Sequence, residues 1–255
     1  HTRYWRDWSS DVCSSDLVKE VARAMSAPME GCWGRLKRMG RYLPQSPRVV
    51  MEFQWQSTPS EVTIYTDADW AGCKTTRKST SIGCLMIGDH VIKTWSKTQS
   101  LIALSSGESE FYAALKASAE GLGLLSMMKD FGWTATGQVL GDASAALGII
   151  HRKGLGRTRH IDTGLLWIQQ TAAEKRLSYG KVLGTDNPAD LMTKHLIAEV
   201  IARHCSKMGA VFPSGRAENV PTLKYVTQAT WELQGEEPEE EPTEDRENWH
   251  DQLQL

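Results

Sequence analysis

Apolar residues recur along this chain with two different periods, and the switches between them divide it into elements. From Val18 to Leu43, the residues Val21, Met25, Trp33, Leu36, Met39 and Leu43 return at helical steps. That pattern predicts a helix broken near Pro28 and stopped by Pro44 and Pro47. Between Glu61 and Leu196 the period alternates. VTIYTDAD (62–69), SIGCLMIG (81–88) and HVIKTWS (90–96) read as strands, the last two joined by a tight Gly88-Asp89 turn. A long helix follows over Ser106–Asp130, with Phe111, Leu115, Ala119, Leu122, Leu125 and Met128 at near-helical spacing. Ser105, with Glu108 three residues on, has the form of a capping box.

The strand QVLG (138–141) leads into a helix over Ala143–His151, and another helix covers His160–Ala173. LSYGKVLG (177–184) reads as a fifth strand, and Asn187-Pro188 opens a last helix. The order βββαβααβα predicts an α/β fold: a five-stranded mixed sheet, its first three strands antiparallel, with helices on its faces. Beyond Ile201 the helical signal fades. Four regions result: a leader at 1–17, a helical connecting segment at 18–60, a domain at 61–200 and a tail at 201–255. The leader, HTRYWRDWSSDVCSSDL, resembles translated sequencing-adapter sequence, or else is a disordered leader, and it is set aside from the fold. The whole tail, 201–255, is expected to be disordered, on the strength of GEEPEEEPTEDRENWHDQ (235–252), which is acidic, proline-punctuated and poor in apolar residues.

Composition changes this picture little. The chain has 255 residues, enough for one sizeable domain with extensions. Its net charge of -2 is uneven: +3 over 1–60, +1 over 61–200 and -6 over 201–255. Total charge therefore carries no nucleic-acid signature, and local clusters have to carry one. Arg35, Lys37, Arg38 and Arg41 form one such cluster, and Arg152, Lys153, Arg157 and Arg159 another. Each reads either as a solvated face or as a phosphate contact. Five cysteines without a CxxC pair argue against a disulfide framework or zinc site and for a reducing compartment. No apolar run approaches the ~20 residues of a membrane span. The expectation is an intracellular protein without a membrane partner.

Four acids stand where a polar residue has a poor packing reason. Asp67 ends the first strand, Glu110 lies early in the long helix, Asp142 follows QVLG, and Asp190 sits within NPADLMTK. Carboxylates at strand ends and helix starts on one sheet edge can converge. Singly, each has a plainer account, as turn former, surface residue or favourable charge at a helix start. Their combination, in this order of elements, carries the functional reading.

YTDADWAG (65–72), SSGESEFYAA (105–114), LGDASAAL (140–147), RHID (159–162) and NPADLMTK (187–194) together resemble the ribonuclease H domain of copia-type LTR retrotransposons. The resemblance covers about residues 61–197. GCWGRLKRMGRYL (31–43) is similar to the segment joining reverse transcriptase to ribonuclease H in those polyproteins, and no YxDD-like polymerase motif precedes it. The resemblance implies a ribonuclease H-like fold with catalytic, metal-binding carboxylates at Asp67, Glu110, Asp142 and Asp190. Glu110 is chosen over Glu108 because Phe111-Tyr112-Ala113 follows it as in the family pattern.

It further implies two Mg²⁺ ions, with Mn²⁺ as a substitute, and endonucleolytic hydrolysis of the RNA strand of an RNA–DNA hybrid during reverse transcription. Asp67 would bridge both ions, Asp142 and Glu110 completing one site and Asp190 the other. The implied partners are the hybrid and the reverse transcriptase portion of the same polyprotein, in the cytoplasm, a retrotransposon particle or the nucleus. A decayed copy that binds nucleic acid without cutting it, and an integrase-like nuclease on the same scaffold, are the competing readings.

Other residues have a functional and a plain reading side by side. Gln99, Ser105, Ser106 and Ser144 could read 2′-hydroxyls or serve as ordinary caps and loop residues. His160 could take part in catalysis or be a helix-start histidine bonded to a carboxylate, and it stays outside the catalytic set. Asp69 reads as an outer acid or a turn former. Trp70, Trp95 and Trp167 read as core residues ahead of base-stacking platforms.

Overall fold

The computed structural model describes residues 30–45, 50–192 and 196–213, with Ala22, Met25 and Pro28 as isolated positions. The leader at 1–17, most of the helix expected before Glu30, and the acidic stretch at 235–252 lie outside the described residues. Helix α1 spans Glu30–Gln45 and runs through Pro44 rather than ending before it. Its described side chains are exposed apart from half-buried Cys32. Strand β1 (Val50–Met51) pairs antiparallel with β7 (Ala210–Val211) in a small separate sheet.

The main sheet contains β2 (Glu61–Asp69), β3 (Thr80–Ile87), β4 (His90–Thr98), β5 (Thr136–Gly141) and β6 (Ser178–Lys181). Their order across the sheet is β4-β3-β2-β5-β6. The hairpin strands β2, β3 and β4 are antiparallel, whereas β5 joins β2, and β6 joins β5, in parallel. The expected five-stranded mixed sheet is therefore present. Gly88 turns the β3–β4 connection at φ 58°, where a side chain would also strike Gln56. Gly83 lies opposite Trp95, and a Cβ there would fall 2.0 Å from the indole. The bare backbone lets Trp95 lie flat across the strand.

Helices cover both faces. Helix α2 (Ser106–Asp130) packs Ala117, Leu124 and Met128 against Val62, Ile64, Leu85 and Val139. Helices α3 (Ser144–His151) and α4 (Trp167–Ala173) close on its other flank around Phe111, Ile150 and Ile168. Helix α5 (Ala198–Lys207) covers Ile82, Cys84 and Met86 with Ile201 and Cys205.

Besides α1 and a β6 shorter than the expected 177–184, three elements differ from the periodicity reading, each for a local reason. The helix expected over His160–Ala173 is a 3₁₀ turn at Thr163–Leu166 followed by α4, because the Asp162 carboxylate accepts from Gly164 N–H and caps the chain there. The element at Asn187-Pro188 is a 3₁₀ turn, Pro188–Met192, not the start of an α-helix. Asp190 N–H closes onto Asn187 C=O three residues back, the tighter bond of a 3₁₀ turn. Helix also continues past Ile201 to Lys207, where periodicity fades, because His204 and Cys205 serve as its buried positions.

Phe111 is fully buried where α2, α3 and α4 meet. Phe111→Ala is expected to cost about 3–5 kcal/mol, the range for truncating a buried Phe. Urea unfolding would register it as a lowered midpoint with little change in slope.

Candidate active site

The carboxylate centre follows from the pairing of two strands. Tyr65 on β2 stands beside Leu140 on β5 in parallel register. Asp67 and Asp142 each come two residues later, so both emerge at the same sheet edge. Asp190 arrives by a different device. Asn187 is fully buried, and its Nδ2 donates to Thr66 C=O at 3.0 Å while its Oδ1 accepts from Ala189 N–H at 3.1 Å. One amide thus ties the residue before Asp67 to the residue before Asp190. As a result Asp67, Asp142 and Asp190 offer oxygens that all lie within 4.8 Å of one another.

Glu110, from the start of α2, meets the cluster through a hydrogen bond with Asp67. Asp67 and Asp190 are buried, Glu110 and Asp142 half-buried. Burial, then the charges of Asp67 and Asp142, push the Glu110 carboxyl up to about 9, so it carries a proton at neutral pH. That is how crowded carboxylates relieve repulsion when no cation neutralises them. The donor set is all hard oxygen and partly open to solvent, which suits a small divalent cation such as Mg²⁺ or Mn²⁺. Asp67, Asp142 and Asp190 could hold such an ion.

Glu108, two residues earlier, has separate work. It is buried and accepts from Tyr112 Oη at 2.7 Å and Leu104 N–H at 2.9 Å, with His160 Nε2 at 2.8 Å. Burial alone would raise its carboxyl, but these bonds, led by that with His160, outweigh it and hold the group below its ordinary range. Ser105 Oγ does cap Glu108 N–H, yet the Glu108 carboxylate reaches Leu104 N–H and not that of Ser105, so the box is only half formed. His160 is the carboxylate-bonded residue of the plainer reading.

The other expectations divide. Gln99 is buried and spends its amide on Ser81 Oγ and Ser109 C=O, which removes it from any substrate surface. Ser105 is the α2 cap, Ser144 Oγ accepts from Lys181 Nζ at 2.9 Å, and Ser106 is exposed. Arg152 turns inward to Leu155 C=O and Thr158 Oγ1, leaving Lys153, Arg157 and Arg159 exposed. Trp95 is a core residue, and Trp167 is half-buried against the α3–α4 cluster. Trp70 is not a core residue: it is half-exposed and donates its indole N–H to Ala103 C=O at 3.1 Å. Asp69 folds over its own turn, where a Cβ on Gly72 would strike its carboxylate. Sequence reading missed Asn187, whose one available signal was a polar side chain directly before Pro188 in a motif already noted.

A five-stranded mixed sheet in this order, with helices on its faces, is a ribonuclease H-like fold. No protein-family profile matches the chain. It is 29% identical over 179 residues to the retrovirus-related Pol polyprotein from transposon TNT 1-94 of Nicotiana tabacum, covering 69% of this chain and 13% of that one. It is 28% identical over 202 residues to the Pol polyprotein from transposon RE1 of Arabidopsis thaliana, covering 76% and 13%. Secreted RxLR effector protein 161 of Plasmopara viticola is 36% identical over 116 residues, 44% of this chain and 81% of that protein.

Among solved structures, LC11-RNase H1 from compost superposes with a TM-score of 0.38 at 14% identity, covering 56% of this chain and 97% of that one. The N-terminal RNase H domain of rv2228c from Mycobacterium tuberculosis superposes with a TM-score of 0.34 at 15% identity, covering 58% and 97%. The chain is thus similar to retrovirus-related Pol polyproteins of plant transposons, and it spans about 13% of their length.

Two measurements check this geometry. With chelator present, the proton on Glu110 favours the folded state, since the unfolded carboxyl titrates at its ordinary value and the folded one at about 9. Stability is therefore expected to fall as pH rises between those values. Thermal melts from acid to mildly alkaline pH would show this, and Glu110→Gln would flatten the dependence. Asn187→Ala strands Thr66 C=O and Ala189 N–H in the interior, at about 1–3 kcal/mol each. A urea titration with unchanged midpoint would refute that role for the amide.

Proposed function

We propose that this chain is a divalent-metal-dependent ribonuclease H that cuts the RNA strand of RNA–DNA hybrids, leaving a 3′-hydroxyl and a 5′-phosphate. The observation that supports it most is the meeting of Asp67, Asp142 and Asp190 within 4.8 Å, with Glu110 bonded to Asp67. Two Mg²⁺ ions bound there would supply the positive charge that activates a water for attack on a phosphodiester and steadies the departing oxygen.

The chain's own residues prepare that chemistry. Asp67 offers an oxygen within 4.8 Å of those of Asp142 and Asp190 and is also hydrogen-bonded to Glu110. Asn187 holds the Asp190 turn against β2, and α5 packs Ile201 and Cys205 over Ala189 and Leu191 on either side of this acid. Glu110 would release its proton once cation charge was bound beside it, which would link occupancy to deprotonation. Ser106, exposed at the start of α2, is the remaining candidate for reading a 2′-hydroxyl. In a Pol polyprotein the natural partner is the reverse transcriptase portion, which would deliver the hybrid as it is made.

The test is incubation of the chain with a labelled RNA–DNA hybrid, and with duplex RNA, duplex DNA and single-stranded RNA, in Mg²⁺, Mn²⁺ or chelator. Metal-dependent cutting of the hybrid's RNA strand alone is expected, with a loss of at least about a hundredfold in Asp67→Asn, as for removal of a group central to transition-state charge. A folded chain that binds hybrid and cuts nothing in either metal would instead establish the inactive, decayed reading.

A further inference from the structure

The turn that joins β2 to β3, residues 70–79, begins three residues after Asp67 and is unusual in both charge and geometry. It carries Lys74, Arg77 and Lys78, the first two exposed and the third half-buried. Among the described residues none of the three makes an ion pair. Lys97 is exposed and lies opposite Ser81, whose other neighbour is Ala68, so it adds a fourth cation along the same end of the sheet. These cations are not on a loose loop. Ala71 N–H donates to Ser79 Oγ at 3.0 Å, Arg77 N–H to Cys73 C=O at 2.7 Å, and Cys73 N–H to Lys78 C=O at 3.3 Å.

The backbone pays a local cost for this shape. Ala71 and Arg77 sit at φ 54° and 56°, in the left-handed region that residues with a Cβ avoid. The Trp70 indole, bonded to Ala103 C=O, braces the turn against the segment entering α2. Strain of this kind persists where surrounding structure over-determines it, and it clusters at functional sites.

A carboxylate centre repels the polyanion it would have to cut. Cations carried on a backbone already held in shape offset that repulsion without a backbone-ordering cost on binding. We infer that the 70–79 turn is a preformed clamp for the phosphate backbone of the nucleic acid led past the carboxylates, with Lys74, Arg77 and Lys78 as its contacts. The inference rests on the nuclease reading for its ligand, yet it concerns binding and is tested apart from cutting.

The experiment measures binding of the full chain to a labelled RNA–DNA hybrid by fluorescence anisotropy, in chelator, over about 50–200 mM salt. Lys74→Gln/Arg77→Gln/Lys78→Gln is expected to weaken binding about tenfold or more at the low end. It should also make the salt dependence of log K shallower by about 2–3, since each lost phosphate contact removes about 0.9 from the slope. Lys129→Gln, at the far end of α2, should leave both unchanged. If the triple variant fails to melt cooperatively, Lys74→Gln alone should remove about 1 from the slope. An unchanged slope and affinity in folded variants, or no binding by the parent chain, overturns the clamp. Binding that depends on the turn in a chain that never cuts would sink the nuclease reading and leave the clamp standing.

Discussion

The structure depends on one pairing, the parallel register of β2 with β5. It places the buried residues Val62, Ile64 and Val139 under α2 and, at the other end, delivers two acids to one edge. The same strands that gain stability by burying aliphatic side chains carry charge into a place where it is partly desolvated, and the fold tolerates this because the apolar contacts lie in the same two strands. The protonated Glu110 is the visible sign of that tension. Stability and chemistry draw on opposite ends of a single ladder of hydrogen bonds.

Much of this was legible in sequence. Alternation in 62–69, 81–88 and 90–96, and the helical spacing from Phe111 to Met128, located the sheet and its main helix to within a few residues, because each has one dry face. The acids were legible as exceptions to those patterns, and the family resemblance gathered them into a set. What escaped were effects of single hydrogen bonds. The 3₁₀ turn at Pro188 is set by the Asn187 amide, the late start of α4 by the Asp162 cap, and the length of α5 by His204 and Cys205 acting as core residues. None of these leaves a periodic trace.

The neighbourhood of α2 shows how closely similar residues can differ in role. Glu108 and Glu110 are two apart, so the helix turns them to different sides. Glu108 is saturated by Leu104, Tyr112 and His160 and serves as a structural anion. Glu110 faces other acids and keeps a proton. The difference comes from the donors around each carboxyl, which is why motif position alone distinguished them only through the residues that follow.

The Asn187 amide has a consequence for the life of the chain. It joins positions 121 residues apart, and the acid it steadies is the last of the four to be synthesised. A ribosome must therefore complete nearly the whole domain before the centre can assemble. A nascent or clipped chain ending between Asp142 and Asn187 would hold three of the acids and still lack the fourth.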